Sequence, residues 1–286
     1  MIDYPALAAL AEIARRGSFD AAARALGITQ PAVSQRIKSL EARMGQVLLD
    51  RGPPVTPTEA GLRLIAHWGQ VQLLEAGLAI TPAARPTIRI AINADSLASW
   101  AIAALPQAPG LVDLVIDDQD HAESWLRAGL VSAAITGQRG PVPGCDSFEL
   151  GAMRYLAVAR PDFIGRHFAE GITAKALASV PALIFNSKDG LQDLWVRQHF
   201  GDNIALPCHM IPNAEAFVQA TRLGMGWGMS PELMIADDLR DGLLVPLRAD
   251  AALDVRLYWQ IARIMAPSLA PLTRAIRRAA AAALIQ

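Results

Sequence analysis

Apolar side chains recur along the first third of the chain with the period of a helix. Leu7, Leu10 and Ile13 mark an amphipathic helix closed by Arg15, Arg16 and Gly17. Ala21, Ala22, Ala23 and Ala25 give a second helix high propensity; Ser18 caps it and Gly27 ends it in a left-handed turn. Ile28 returns to the core, and Thr29 or Gln30 starts a third helix. Pro31 is tolerated there because the N–H it lacks would be unpaired in a first turn. Val33, Ile37, Leu40 and Met44 form one stripe on this helix, predicted buried, with Gln30, Ser34, Gln35 and Lys38 off it. Residues 47–57 (VLLDRGPPVTP) are too rich in Pro and Gly for a helix and read as two extended segments around a turn. A long helix from Thr58 to about Leu78 carries Leu62, Ile65, Trp68, Val71, Leu74 and Leu78 along one side, the pattern of a helix that pairs with a partner.

After a hinge at Thr81–Pro86, strand-like and helical runs alternate. Ile88–Ile92, Leu111–Ile116 and Ser132–Thr136 read as strands, with a helix starting near Ser96 and a capping box at Asp120–Glu123 opening another. A second unit begins after Pro161: strands at Leu183–Asn186 and Cys208–Ile211, helices at Gln192–His199 and Ala214–Gly224, then a strand-loop at Gly224–Ser230. Leu257–Trp259 reads as a returning strand and Ser268–Leu284 as a closing helix. This alternation predicts an α/β domain with a mainly parallel sheet in two halves, and a cleft between them.

Two short helices joined by a tight turn at Gly27 are a helix-turn-helix, whose second helix is shaped for the major groove of DNA. Charge refines this expectation. The 286-residue chain has a net charge of −1, but residues 1–57 hold seven basic against five acidic side chains. So mild a basicity gives weak non-specific DNA binding, because phosphate neutralisation supplies most of that term. Specific binding then leans on dimer avidity and base contacts.

No uncharged apolar run approaches the roughly 18 residues that span a bilayer, and Asp3 and Glu12 interrupt the N-terminal segment, so the expectation is a cytoplasmic protein without a membrane partner. Cys145 and Cys208 have no metal-ligand spacing and are expected to be buried free thiols. No GxSxG, HExxH or Walker pattern is present, so neither an enzyme nor a cofactor is expected. The GxGxG at Gly224–Gly228 lacks the strand-then-helix context of a dinucleotide site, and Trp227 and Met229 there read as core.

The order helix, helix-turn-helix, wing and long helix resembles the LysR-type transcriptional regulators. The matching residues are Ser18–Ala23 (SFDAAA), Thr29–Ser34 (TQPAVS), Ile37–Glu41 (IKSLE) and Thr56–Gly61 (TPTEAG). Leu48–Arg51 followed by Pro53-Pro54, and Gln70–Glu75, are similar more narrowly to one branch, the arginine- and lysine-responsive regulators of basic amino acid exporters, also called chromosome initiation inhibitor proteins. Ala91–Ala98, Ala152–Ala159, Glu215–Gln219 and Leu257–Trp259 extend the resemblance over essentially the whole chain. Most family members carry Arg-Gln where this chain has Gln35-Arg36, an order the branch tends to share. The resemblance implies a winged helix-turn-helix over residues 1–57, a linker and dimerisation helix over 58–80, a hinge over 81–87 and an effector domain over 88–286. That domain is expected to be two-lobed like periplasmic solute-binding proteins, with lobe I about 88–160 and 262–286 and lobe II about 161–261. The implied partners are a double-stranded DNA operator, lysine or arginine as effector, a second copy in a dimer, a second dimer in a tetramer, and RNA polymerase. The competing readings are an architectural or replication-origin DNA-binding protein and a regulator of this type with another effector.

The candidate DNA-binding residues are Ser18, Thr29, Gln30, Pro31, Ser34, Gln35, Arg36, Lys38 and Arg51. Strand ends supply the candidate effector contacts: Asn93, Asp95, Ser96, Asp118, Thr136, Asn186, Asp189 and Met229, with Asp117 and Lys188 beside them. Asp95, Asp118 and Asp189 are the acids expected to meet a cationic side chain; Asp95 and Asp118 also read as ordinary turn or capping residues, and Asp189 as part of a solvated loop.

Overall fold

A computed structural model describes residues 3–77, 86–117, 122–201 and 204–286. Residues 81–85 of the expected hinge, Leu78, Asp118 and the expected cap at Asp120 lie outside the described residues, and the last expected hinge position, Thr87, starts β3 (Thr87–Ile92).

Three helices, α1 (Tyr4–Arg16), α2 (Phe19–Leu26) and α3 (Gln30–Met44), form the first domain with strands β1 (Leu49–Asp50) and β2 (Thr56–Pro57). The local chemistry ends each helix where the sequence does. Ser18 and Thr29 accept hydrogen bonds from the Ala21 and Ala32 amides, and Gly17, Gly27 and Gly45 close the three helices in the left-handed conformation. Leu7, Leu10, Ile13, Val33, Ile37, Leu40, Leu48 and Leu49 fill one core. Met44, expected in that stripe, is exposed at the C-terminal end of α3, where the helix has run past the core that Val33, Ile37 and Leu40 share.

The wing is an antiparallel pair, Leu49 opposite Pro57 and Asp50 opposite Thr56. Helix α4 (Glu59–Gly77) leaves it. The burial stripe on α4 differs from the expected one: Leu64 and Leu73 are buried, whereas Leu62, Ile65, Trp68 and Val71 are half-buried and Leu74 is exposed. The reason is that α4 serves two neighbours. Leu64 joins the first domain's core and Leu73 the effector domain's.

The remainder comprises β3 (Thr87–Ile92), α5 (Ala94–Ser99), a 3₁₀ segment (Ala101–Gln107), β4 (Leu111–Ile116), α6 (Ala122–Arg127), β5 (Ala133–Thr136), β6 (Cys145–Ala159), α7 (Pro161–His167), α8 (Ala174–Leu177) and β7 (Ala182–Ile184). It continues with α9 (Leu191–Phe200), β8 (Cys208–Met210), α10 (Ala214–Arg222), β9 (Trp227–Pro231), α11 (Glu232–Arg240), β10 (Val245–Pro246), β11 (Leu253–Ala262) and α12 (Ala270–Ala283). The strands run in the order β4-β3-β5-β11-β6-β9-β7-β8, with β10 also on β6. Parallel pairs lie at both ends, β3 with β4 and β5, and β7 with β8 and β9.

The centre is antiparallel and departs from the expected lobe boundaries. Strands β6 and β11 pair along their length, from Leu253 opposite Tyr155 to Ala262 opposite Cys145. The Tyr258–Ile261 part of β11 pairs with β5 in lobe I, while the Tyr155–Val158 part of β6 pairs with β9 in lobe II. Both strands therefore belong to both lobes. Of the two cysteines, Cys145 is buried as expected and Cys208 is exposed on β8.

Candidate DNA-binding face and effector cleft

The first helical turns of α3 present Gln30, Pro31, Gln35 and Lys38 as exposed and Ser34 and Arg36 as half-exposed, opposite the buried Val33, Ile37 and Leu40. Ser18 and Thr29 serve first as caps, with hydroxyls 3.4 Å from the amides they accept from. Gln35 Nε2 donates to Ser39 Oγ at 3.4 Å. The wing is fixed to α3 by Glu41, which accepts from the Leu48 amide at 3.0 Å and pairs with Arg51 at 3.1 Å. The Arg51 guanidinium also stands 5.8 Å over the Phe19 ring. Arg51 is thus a wing anchor with one face to solvent.

Several basic side chains of this domain are paired internally: Arg15 and Arg16 with Glu12, Arg43 with Asp3 and Arg51 with Glu41. Among the described residues, Arg24, Arg36 and Lys38 stand outside those pairs, on α2 and α3. Arg24 was absent from the sequence-based candidates because its helical position alone does not say which charges have partners.

The second site is a cavity of about 260 Å³ between the lobes, a little below the span of drug-sized sites and suited to a small metabolite. Lobe I contributes Asn93, Asp95 and Asp117, and lobe II contributes Asn186, Lys188, Asp189, Phe217 and Met229. Strand ends β3, β4, β7 and β9 converge here, as expected for an open α/β sheet.

Each acid has a place. Asp95 Oδ2 accepts from the Tyr155 hydroxyl at 2.8 Å. Asp117 Oδ2 accepts from Trp125 Nε1 at 2.9 Å, and its Oδ1 lies 2.9 Å from Lys188 Nζ. Asp189 accepts from the Phe185 and Leu191 amides at 2.8 and 3.2 Å, so it braces its own loop. Asn93 is buried, and its side-chain oxygen has no partner among the described residues.

Five of the expected effector contacts, Asn93, Asp95, Asn186, Asp189 and Met229, line this cavity together. Ser96 and Thr136 do not. Ser96, on the inward face of α5, is fully buried, and the Thr136 hydroxyl accepts from Gln260 Nε2 at 3.0 Å inside lobe I. Asp118 lies outside the described residues; Asp117 is the β4 acid that lines the cavity. Trp227 is core as expected, while Met229 is both buried and part of the lining.

Among the described residues no group of three His, Cys, Asp or Glu could hold a metal, and no helix is long and apolar enough to cross a membrane. Burial, followed by the charge of Asp146, pushes the Cys145 thiol up, away from the range of a reactive thiolate.

Residues 5–62 match the family model of the bacterial regulatory helix-turn-helix proteins of the lysR family, and residues 83–281 match that of the LysR substrate binding domain. The chain is 46% identical over 285 residues to the HTH-type transcriptional regulator LysG of Mycobacterium tuberculosis, covering 98% of this chain and 94% of that protein. It is 44% identical over 283 residues to the HTH-type transcriptional regulator ArgP of Pseudomonas aeruginosa, covering 96% and 94%. The crystal structure of ArgP from Mycobacterium tuberculosis superposes with a TM-score of 0.81 at 46% identity, covering 100% of this chain and 99% of that one. Full-length LysG from Corynebacterium glutamicum with bound effector Arg superposes at 0.68 with 36% identity, covering both chains completely. These relatives are regulators, not enzymes, and the likeness runs through both domains. The winged helix-turn-helix, the linker helix and the two-lobed α/β domain are those of the LysR family of DNA-binding transcriptional regulators, to which this chain belongs.

Proposed function

We propose that the effector is a basic amino acid, lysine or arginine, and that the regulated gene encodes a basic amino acid exporter. The observation that carries the effector is the interlobe cavity, whose described lining holds three acids, Asp95, Asp117 and Asp189, and one cation, Lys188, paired with Asp117. A second cationic side chain is favoured there, and the unpartnered Asn93 oxygen is an acceptor for an α-ammonium group. A charge-assisted hydrogen bond in such a half-buried site contributes about 1.5–3 kcal/mol, enough to separate a basic from a neutral amino acid at least tenfold. The arginine bound to the Corynebacterium relative supports this reading, and the branch resemblance supports the exporter target.

Two copies pair through the part of α4 that its own chain leaves half-covered, Leu62, Ile65 and Val71, and dimers associate into tetramers. Each copy sets α3 in the major groove, with Gln30, Ser34 and Gln35 at base edges. Arg24, Arg36, Lys38, Ser18, Thr29 and the exposed edge of Arg51 meet phosphates, and Pro31 packs at the groove entrance. Residues 1–57 are the DNA-binding unit, 58–80 the linker helix, 81–87 the hinge and 88–286 the effector domain, with β6 and β11 common to its lobes. Effector binding changes the angle between lobes and so the spacing of the paired wings.

Calorimetric titration with lysine, arginine, alanine, leucine and glutamate tests the effector. Saturable heat for the two basic amino acids alone is expected. Binding of a neutral or acidic one in their place would overturn the assignment.

A further inference from the structure

The mouth of the cavity is crossed by an ion pair whose partners belong to different lobes. Asp117 follows β4 in lobe I, where Trp125 Nε1 fixes its carboxylate from one side. Lys188 sits in the loop between β7 and α9 of lobe II, with its ammonium 2.9 Å from the other carboxylate oxygen. That loop is braced. The Lys188 amide donates to Asn186 Oδ1 at 2.7 Å, and Asp189 holds the amides of Phe185 and Leu191. The Lys188 side chain is 47% exposed and the Asp117 side chain 14%. The ammonium therefore has a way out to solvent, whereas the carboxylate is largely enclosed.

An ammonium on a four-carbon stem, presented to a carboxylate in the cavity, is the group a free lysine would present. We propose that Lys188 is a specificity-determining residue, an internal stand-in for the effector's side-chain cation that a basic amino acid must displace from Asp117. The inference rests on the effector reading above and deepens it. A tethered ammonium competes at an effective concentration in the millimolar range. A neutral amino acid that displaced it would exchange an ion pair with the largely enclosed Asp117 carboxylate for an uncharged contact, and so bind less well than a basic one. A lysine or arginine side chain restores the pair, and Lys188 swings into water. The internal cation thus raises the concentration at which any effector acts and rejects uncharged ones.

The same exchange alters what joins the lobes. Before binding, the bridge is a side chain of lobe II on a carboxylate of lobe I. Afterwards it is the effector itself, held by both.

The test is calorimetry on the full-length chain and its K188M, K188Q and D117N variants, titrated with lysine, arginine and alanine. K188M keeps the stem and removes the competing charge, and K188Q guards against a folding defect peculiar to one replacement. Both are expected to bind lysine and arginine about fivefold more tightly than the unaltered chain, the factor set by a half-exposed ion pair. D117N is expected to bind both at least tenfold more weakly. Binding to the unaltered chain that K188M and K188Q leave equal or weaker would overturn the displacement while the basic amino acid reading stands. Silence of the unaltered chain with binding by K188M would support displacement in a stronger form. Silence of all the proteins would overturn the effector reading and this inference together.

Discussion

Gly61 sets two physical effects against each other, and the structure decides between them. It lies in the first turns of α4, where alanine has the higher helix propensity by about 0.8–1.0 kcal/mol. Propensity alone therefore makes Gly61→Ala stabilising. A Cβ at this position, however, would stand 2.2 Å from the Leu48 carbonyl oxygen and 3.3 Å from Pro57 Cβ. The obstacle is backbone. That carbonyl accepts the Thr58 amide at 3.0 Å, while Thr58 Oγ1 donates to the Val47 carbonyl at 2.8 Å and accepts from the Gly61 amide at 3.2 Å. Making room separates α4 from β1 and breaks at least one of these bonds. Overpacking costs about 1–3 kcal/mol and a lost hydrogen bond about 1, so the substitution is expected to destabilise the first domain by about 1–3 kcal/mol net. Hydrogen exchange read peptide by peptide on the full chain measures this directly. Amides of α1, α3 and α4 should exchange about 5- to 150-fold faster in G61A if they open with the domain, with those of β6 and β11 unchanged. Operator affinity should fall with them, because the wing moves off its Glu41 anchor. Unchanged or slower exchange in the first domain would refute the claim that close backbone approach outweighs propensity here.

Three further outcomes are expected. Replacing Gln30 and Ser34 with Ala should relax base preference by about 1–3 kcal/mol at the positions they face, whereas Lys38→Ala should weaken all sequences alike and reduce the salt slope by about one; selection from a randomised operator pool and salt titrations separate the two. Gln260 is fully buried, and its amide donates to Thr136 Oγ1 and the Gly140 carbonyl and accepts from the Val142 amide at 2.8 Å. Gln260→Leu should therefore cost about 2–4 kcal/mol in denaturant unfolding, through several unpaired groups; a neutral result would mean that the 138–142 loop finds other partners. The Arg154 guanidinium holds the Asp254 carboxyl below its usual value, so this pair's stabilisation is complete above the unfolded carboxylate pKa, about 3.9, and is lost as pH falls through the lower folded value. Because both groups are well exposed, Asp254→Asn should remove at most ~1 kcal/mol from the neutral-pH side and flatten that acid limb; an unchanged melting profile against pH would refute the assignment.

The first domain was legible almost residue by residue, because its helices are bounded by local chemistry. Ser18, Thr29, Gly17, Gly27 and Gly45 act on their own neighbours, and no distant contact is needed to place them. Strands rich in apolar and β-branched residues, such as Leu111–Ile116, were equally plain. Strand β6 was not. Its sequence, CDSFELGAMRYLAVA, alternates in the half that faces lobe I and becomes nearly all apolar in the half packed within lobe II, so no single period describes it. The cavity acids show a similar limit. Strand ends named the neighbourhood, but which side chain at a strand's end faces the cavity depends on the phase at which the strand stops, so Asp117, which lines it, stood beside the candidates rather than among them. Lys188 was visible as a loop residue, but its pairing with an acid 71 positions away is a tertiary fact.

The two strands shared by the lobes make the joint of the effector domain an elastic element. A swivel of single-strand loops turns freely, whereas β6 and β11 are hydrogen-bonded to each other through the crossing and bend only as a ribbon. The ribbon has one weak place, the register shift between Leu257 and Tyr258, opposite Gly151 with its φ of 114°. There the Ala152 and Ile285 backbones exchange hydrogen bonds at 2.7 and 3.0 Å, and the Ile285 carbonyl occupies the space a Cβ on residue 151 would need. Any change in the angle between the lobes must therefore bend a hydrogen-bonded ribbon that the C-terminal residues clamp at Gly151.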